Sequence, residues 1–537
     1  MSAQALLPTE KTLVLIGFMG AGKTTVGRLL SRALKRPLVD LDEELEARAG
    51  VSIPEIFAHK GEGYFRDLET SLLEEYLSPK EPQILATGGG VVERERNREL
   101  LSQARTYYLQ APVEALWARL QGGGQANRPL AQERAAFLER FQKREPWYEA
   151  AGQVIEAASP PQAVATRILE AYLAAPDFFL MAEGKNCLIR AVVPRGQALN
   201  RLKELQSHRK IALLLDRAFL EEESFWRQTL PEALLLFPEK QGEAAKTLAE
   251  AERLLTLLAE NRLDRADYLV ARGGGALTDL GAFSAGLFKR GLSLILWPTT
   301  LLGAVDAAIG GKTAVNLAGA KNQVGHFFLP QEVWLEPEIL GDLPASLLTE
   351  GLVEAVKTGL LFDQELLSLI LDRLEAILRG DAPLVLEVAR RSALAKARLV
   401  EKDFREEKGW RDVLNLGHTY GHVVESFNGP QVSHGQAVAV GLAVALDISR
   451  DYGLDPLLAE RLMALCQRLG GDLPPLPGAA ETRRLLTFDK KIRAGQLKFV
   501  ILRAPGAPEV RADFDPDRLI QAGVTLAQRW VAASPIS

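Results

Sequence analysis

Cysteine is almost missing: Cys187 and Cys466 are the only two in 537 residues, far apart and in neither metal-binding nor redox spacing. That scarcity excludes a disulfide framework and leads us to expect a reducing, cytoplasmic setting. A basic surplus is missing too, since 64 lysines and arginines face 69 acids and leave a net charge of −5. Such a balance does not suit a binder of nucleic-acid backbones, so any anionic ligand must be held by local groups. No apolar run is long enough to span a bilayer; the most apolar stretch, 292–305, is broken by Pro298 and closed by Asp306. The first residues lack a basic segment followed by an apolar core, and no signal peptide is expected. Internal repeats are absent, the three Gly-Gly-Gly tripeptides standing in unlike surroundings. What is present is ordinary globular composition, 47% hydrophobic and 25% charged, over a length that suggests three or four units of about 150 residues.

Short apolar runs at 12–16, 37–39, 84–87 and 106–109 read as strands, and 24–34, 112–120 and 162–172 read as helices. This alternation predicts a parallel sheet with helices on both sides, joined by right-handed crossovers. The polar, glycine-rich stretch 121–127 reads as a mobile loop, and AAPDFF marks a boundary near residue 176, giving a first unit over 1–175. Strands follow at 188–193, 211–216 and 268–271, the last running into Gly273-Gly274-Gly275. Beyond about residue 330, Leu/Ala-rich amphipathic stretches at 345–379, 384–402 and 434–452 predict helices. The expectation is a Rossmann-like α/β half over 176–330 followed by a helical half over 331–537.

Residues 17–24, GFMGAGKT, fit GxxxxGK[ST] between a predicted strand and a predicted helix. Glycines there let backbone N–H groups curl around phosphate oxygens, and the helix N-terminus adds partial positive charge. Gly17, Gly20, Ala21, Gly22, Lys23, Thr24 and Thr25 are thus the expected ATP-binding set, with Lys23 on the outer phosphates and Thr24 on Mg²⁺. A tight turn that binds nothing is the plain alternative. Asp40 and Asp42 end the second strand with one residue between them, suiting one to a metal-bound water and the other to a hydroxyl proton. Arg66 and Glu69, at i and i+3, can orient one another on a helix. Arg128 follows the glycine-rich loop, and Arg144 stands in a Lys-Arg-x-Pro-x-Tyr stretch. So many arginines suggest an acceptor bearing a carboxylate, as well as stabilisation of the transferring phosphate.

Through GFMGAGKTTVGR (17–28), DLD (40–42), FRDLE (65–69), GGGVV (88–92), NRPL (127–130) and KREPWY (143–148), residues 11–175 resemble a shikimate kinase. The resemblance implies that Asp42 takes the proton from the 3-hydroxyl of shikimate and that Asp40 acts through Mg²⁺ and its water. It implies that Arg66, Gly88, Gly89, Gly90 and Arg144 hold the shikimate ring and carboxylate, while Arg128, on a closing lid, neutralises the transferring phosphoryl group. Many relatives pack an arginine on adenine near the lid start, where this chain has Gln121.

Three of the six histidines, His418, His422 and His434, fall within 17 residues, a density that suggests a metal site. His418 and His422 stand at i and i+4, and that spacing alone points to both as ligands, with satisfied helix-surface histidines as the plain alternative. The wider sequence is more specific. GEAAKT (242–247), GGGALTDL (273–280), PTTLLGAVDAAIGGKTAVN (298–316), GAKNQVG (319–325), GLVEAVKTG (351–359), LNLGHTYGH (414–422) and HGQAVAVG (434–441) make residues 180–537 resemble 3-dehydroquinate synthase.

That resemblance implies Zn²⁺, or equally Co²⁺, on Glu354, His418 and His434, with His422 facing the substrate instead. It implies that bound NAD⁺ oxidises the C5 alcohol of 3-deoxy-D-arabino-heptulosonate 7-phosphate, which acidifies the neighbouring C–H and lets phosphate leave. The hydride then returns, and ring opening with aldol closure gives 3-dehydroquinate at zero net redox. The implied NAD contacts are Asp216, Glu243, Lys246, Gly274, Gly275, Asp279, Thr299, Asp306, Lys312 and Lys321. The implied substrate contacts are Lys312, Asn322, Lys357, Lys396, Arg411, Asn415, His422 and Lys490, with Lys357 and His422 catalytic. Arg290 matches a position that reaches across a dimer interface, so a homodimer is expected.

Two positions depart from the pattern. Thr278 replaces a glycine and is expected to crowd the pyrophosphate approach. Gln436 replaces a glutamate and, as a neighbour of the metal ligands, would keep an acceptor while losing a charge. The whole chain reads as a bifunctional enzyme of aromatic precursor synthesis whose two steps are not consecutive. A related sugar-phosphate cyclase, a plain metal-dependent alcohol dehydrogenase, or a P-loop sensor regulating the second unit are the competing readings.

Overall fold

The computed structural model describes residues 12–34, 36–77, 83–122, 134–173, 177–318, 320–488, 492–493 and 496–532. The chain divides into two compact units, Met1–Ala175 and Pro176–Ser537.

The first unit carries a parallel sheet of β1 (Leu13–Ile16), β2 (Leu38–Asp40), β3 (Ile84–Ala86), β4 (Arg105–Gln110) and β5 (Gln153–Glu156), in the order β2-β3-β1-β4-β5. The central strand β1 is buried along its whole length, which is why it reads as an unbroken apolar run. Connections leaving β1 and β4 run to opposite sides of the sheet, so a topological switch point lies at their carboxyl ends. Helix Lys23–Leu34 follows β1, and helix Leu41–Ala49 follows β2 with Asp40 as its N-cap.

The second unit opens with a seven-stranded sheet ordered β6-β7-β14-β11-β10-β8-β9. Its strands are β6 (Phe178–Ala182), β7 (Lys185–Arg190), β8 (Ile211–Leu215), β9 (Leu234–Leu236), β10 (Tyr268–Gly273), β11 (Ser293–Pro298) and β14 (Glu332–Trp334). All neighbours are parallel except β6 and β7. The strand expected at 188–193 is therefore displaced: β7 begins at Lys185, because a two-residue turn at Glu183 and Gly184, with φ of 51° and 72°, folds it back on β6. A separate antiparallel hairpin, β12 (Lys312–Leu317) with β13 (Ala320–Phe327), projects from the same half. Trp226, Trp297 and Trp334 are fully buried and meet edge to face at 6.2 and 5.3 Å, anchoring the core beneath this sheet.

In the helical half, the single stretch expected over 345–379 is two helices, Ala345–Phe362 and Gln364–Leu378. Asp363 separates them, its carboxylate accepting from the Leu366 N–H at 3.0 Å as the N-cap of the second. Nor is this half wholly helical: Phe499–Ala504 pairs with Ala507–Arg511, and the Leu502 N–H donates to Ser449 Oγ at 2.9 Å. Helix His434–Arg450 is buried on nearly every side and runs against helix His418–Asn428. At their crossing a Cβ on Gly441 would lie 1.9 Å from the Gly417 carbonyl oxygen, so no side chain fits there. Among the described residues, no helix is long and apolar enough to cross a membrane.

Candidate active sites

The first site gathers at the carboxyl ends of β1, β2 and β3. After β1 the chain turns through Gly20 and Gly22, with φ of 81° and 88°, values that side chains rarely adopt. Lys23, opening the following helix, donates from Nζ to the Gly17 carbonyl at 2.8 Å and to that of Phe18 at 3.3 Å, which folds the ammonium over the loop. Thr24 Oγ1 donates to Asp40 Oδ2 at 2.7 Å, so a hydroxyl and a carboxylate oxygen share one small space. These are two hard oxygen donors of the kind Mg²⁺ takes. Ala21 is buried and Thr25 exposed on the first helical turn.

Asp42 is held close by: its N–H donates to Asp40 Oδ1 at 3.1 Å, and a Cβ on Gly88 would stand 2.5 Å from Asp42 Oδ1. Gly90 is needed likewise, a Cβ there falling 2.4 Å from Arg66 Nη1. Arg66 donates to the buried Glu69 at 2.8 Å, the i, i+3 partner expected of it. Arg144 donates to the Gly89 carbonyl at 2.9 Å, as does the Tyr148 hydroxyl. Burial outweighs the Arg66 contact at Glu69 and pushes its carboxyl up to about 7. One residue that motif reading passed over joins these arginines. Glu93 accepts from Arg66 at 2.5 Å and from Arg144 at 2.6 and 2.9 Å. It lies just beyond the GGGVV signature, and only the fold reveals its two partners. Arg128 lies outside the described residues, as do 123–127 of the expected loop, whereas Gln121 lies in the last turn of helix Val113–Gly122.

The second site lies beside the carboxyl ends of β8, β10 and β11. Asp216 follows β8 and accepts from the Ala218 N–H at 3.1 Å. Gly274 caps the helix Gly275–Leu287 that leaves β10, and the Thr299 N–H after β11 donates to the Gly273 carbonyl at 2.9 Å. Below this turn, buried Lys246 donates to Asp279 at 2.5 Å and to Asn322 Oδ1 at 2.6 Å. Burial raises the Asp279 carboxyl to about 6 despite Lys246. Glu243 accepts from Asn316 Nδ2 at 2.7 Å. Thr278 does not crowd the turn as expected: its hydroxyl is folded back on the Gly275 carbonyl at 2.9 Å and its side chain is buried.

Three groups from separate helices converge next to it. Glu354, His418 and His434 each offer one ligand atom, and these atoms all lie within 4.8 Å of one another. Glu354 Oε1 is 3.4 Å from His418 Nε2 and 3.6 Å from His434 Nε2, and it is buried with no hydrogen-bond partner. An orphaned buried carboxylate oxygen facing two imidazole nitrogens fits a bound divalent cation. The far ring nitrogens are held as metal-bound histidines require, His418 Nδ1 against the Leu416 carbonyl at 3.2 Å and His434 Nδ1 against Glu425 at 3.5 Å. His422 is outside this group, with its ring 5.5 Å from that of His418, so the i, i+4 pair is not the ligand pair. Burial and nearby Lys357 drive His418 well below its ordinary value. At His434 burial acts the same way, but Glu354 and Glu425 overcome it and raise the ring to about 10.

Gln436 is not beside the metal group. Its Nε2 donates to the Asp472 carbonyl at 2.9 Å, and the carboxylate that supports His434 is Glu425, which also takes Lys321 Nζ at 2.7 Å. Burial would raise Glu425, yet His434 and Lys321 hold it at about 2. Lys357 contacts Glu354, and Lys396 donates to Asp306 Oδ1 at 2.6 Å. Lys312 contacts Glu406, which Arg411 Nε approaches at 3.2 Å. Asn415 ends the turn Trp410–Asn415 just before His418. Arg290 is exposed on the turn Phe288–Arg290, and Lys490 lies outside the described residues.

Residues 19–173 match the family model of shikimate kinase, 237–350 that of the 3-dehydroquinate synthase N-terminal region, and 351–492 that of its C-terminal region. A bifunctional shikimate kinase/3-dehydroquinate synthase from Thermotoga maritima is 35% identical over 488 residues, covering 90% of this chain and 94% of that protein. The 3-dehydroquinate synthase of Methylacidiphilum infernorum is 37% identical over 338 residues, 60% of this chain and 90% of that one. Among solved structures, 2-epi-5-epi-valiolone synthase from Streptomyces hygroscopicus with NAD⁺ and Zn²⁺ bound aligns with a TM-score of 0.57 at 25% identity, covering 66% of this chain and 99% of that one.

Proposed function

Because this chain belongs to the family of bifunctional shikimate kinase/3-dehydroquinate synthases, we propose that the two sites described above divide those reactions between them. Residues 1–175 are the kinase unit, 176–330 the NAD-binding half of the synthase and 331–537 its metal- and substrate-binding half.

In the kinase, the loop 17–22 and Lys23 hold the phosphates of ATP, and Thr24 with Asp40 holds Mg²⁺, which when bound screens phosphate charge. Asp42 takes the proton from the shikimate 3-hydroxyl, a role supported by its placement against Gly88. Arg66 and Arg144 bind the acceptor's carboxylate, and Gly88, Gly89 and Gly90 leave room for its ring. Arg128 closes over the transferring group.

In the synthase, Glu354, His418 and His434 hold Zn²⁺ or Co²⁺. When bound, the metal supplies a Lewis acid for the substrate's C5 oxygen, and NAD⁺ supplies a reversible hydride acceptor. Gly274, Gly275 and Thr299 face the cofactor's phosphates, with Asp216, Glu243, Lys246, Asp279, Asp306, Lys312 and Lys321 around it. Lys357, Lys396, Arg411 and Lys490, helped by Asn322 and Asn415, neutralise the phosphate and carboxylate of the heptulosonate. Lys357 and His422 stand beside the metal group to handle its protons. We place Arg290 across a homodimer interface, where its exposed turn supports a reach to the partner. A reducing cytoplasm suits Cys187 and Cys466, which are buried, unpaired thiols.

The observation that carries the synthase reading is the orphaned Glu354 Oε1 between two imidazoles. The test is phosphate release from 3-deoxy-D-arabino-heptulosonate 7-phosphate, with ATP-dependent shikimate phosphorylation measured in the same preparation. We expect chelator-sensitive release without accumulation of NADH. Stoichiometric NADH would make the second unit a dehydrogenase, and release that resists complete metal removal would dismiss the metal assignment.

A further inference from the structure

The Arg66–Arg144 pair already holds a carboxylate, and it belongs to the protein. Glu93 closes the short turn Val91–Glu93 directly after the three glycines of the first site. It spends one oxygen on each arginine: Oε2 takes Arg66 Nη2 at 2.5 Å, and Oε1 takes both Nε and Nη2 of Arg144 at 2.9 and 2.6 Å. The edge of Arg144 that suits bidentate recognition of a carboxylate is thereby filled, since its remaining nitrogen, Nη1, is committed to the Gly89 carbonyl. Arg66 also meets Glu69, whose side chain is 1% exposed, and at 3.4 Å the 63% exposed Glu62, but Glu93, 24% exposed, is the acid placed on both arginines. A second carboxylate arriving at these arginines meets three acids with unequal freedom, of which only Glu93 occupies both guanidinium groups, and like charges at this distance repel. Glu69 has no path to water. Glu93 does.

We propose that Glu93 is an internal competitor for the acceptor site: its carboxylate keeps the two guanidinium groups apart and aligned, and the carboxylate of the incoming acceptor displaces it. The inference rests on the assignment of Arg66 and Arg144 to the acceptor's carboxylate. Glu93 thus sets the acceptor's apparent affinity, because a site occupied by its own side chain is binding-competent only for the fraction of time that the side chain is out.

The experiment measures steady-state kinetics of shikimate phosphorylation for the full chain, Glu93→Gln and Arg144→Ala, with the unfolding transition that ATP shifts as the folding control for the first unit. Glu93→Gln keeps the side chain's size and removes its charge, so the shikimate KM is expected to fall by about fivefold or more. The KM for ATP serves as the internal reference and is expected to stay put. Arg144→Ala is expected to raise the shikimate KM by about tenfold or more, as loss of a charge-assisted bidentate contact does. A shikimate KM that rises or stays level in Glu93→Gln, while Arg144→Ala raises it, overturns the competition and makes Glu93 a support for the arginines. A KM indifferent to Arg144→Ala overturns the acceptor assignment itself, and the competition with it.

Discussion

Lys246 Nζ lies 2.5 Å from Asp279 Oδ2 beneath the glycine turn of the second site, and the pair is closed on its third side by Asn322 from the β13 hairpin. One interaction therefore ties the helix after β10 to a projecting hairpin that carries Lys321. Lys246 is buried and Asp279 largely so, and removing either partner strands the charge of the other.

Removing one member should be worse than removing both charges. Lys246→Met leaves Asp279 without its cation, and about 3–5 kcal/mol of stability in the second unit is expected to go with it. Lys246→Met/Asp279→Asn is expected to recover much of that stability while NAD⁺ affinity stays low. Thermal unfolding with and without NAD⁺ separates the two effects; a double variant as unstable as the single one would argue against the pair.

Glu69 gives the first unit a pH dependence of defined sign. Its carboxyl is raised from an ordinary 4.5 to about 7 by burial, which outweighs Arg66, so the folded unit retains a proton that the unfolded chain has lost within that window. This contribution is complete below pH 4.5 and disappears as pH rises through about 7. The unfolding transition that ATP shifts should therefore move to lower temperature between pH 5 and 8, by about 1–3 kcal/mol in stability. Glu69→Gln is expected to flatten that slope, and an unchanged slope would remove Glu69 as its source.

Glu425 is predicted to matter to the metal although it is not a ligand. Glu425→Gln frees His434 Nδ1 from its carboxylate, and zinc affinity should fall by about 10–100-fold in chelator competition. Gln436→Ala, which removes a side-chain hydrogen bond to the Asp472 carbonyl, should leave that affinity unchanged. The reverse pattern would return Gln436 to the place that the sequence suggested.

Asp42→Asn should lower shikimate phosphorylation by about 10²–10⁴-fold while ATP binding persists, since the phosphate loop does not depend on it. Near-normal turnover would require a different base.

Much of this was legible because the chemistry sits in contiguous segments. The turn at residues 17–24 declares itself through glycines that must take positive φ, and β1 through an apolar run that only a covered sheet allows. Contacts made by distant segments were harder to read. Spacing paired His418 with His422, whereas the group that assembles includes Glu354 from a helix more than fifty residues upstream. Glu93 and Glu425 have no motif of their own, and their importance comes from which arginine, lysine or histidine packing brings to them. The break at Asp363 was hidden because apolar periodicity continues on both sides of a residue that caps the next helix. The β6–β7 hairpin turns on Glu183-Gly184, a pair weaker in turn signal than Asn-Gly or Asp-Gly.

Gly441 lies two helical turns beyond His434, and its missing side chain lets that helix rest on the backbone just ahead of His418. The gap between the two imidazoles is thus calibrated by backbone pressed on backbone, at a place that no metal ion touches. A single added carbon at 441 would act as a shim, widening the coordination sphere without altering any donor.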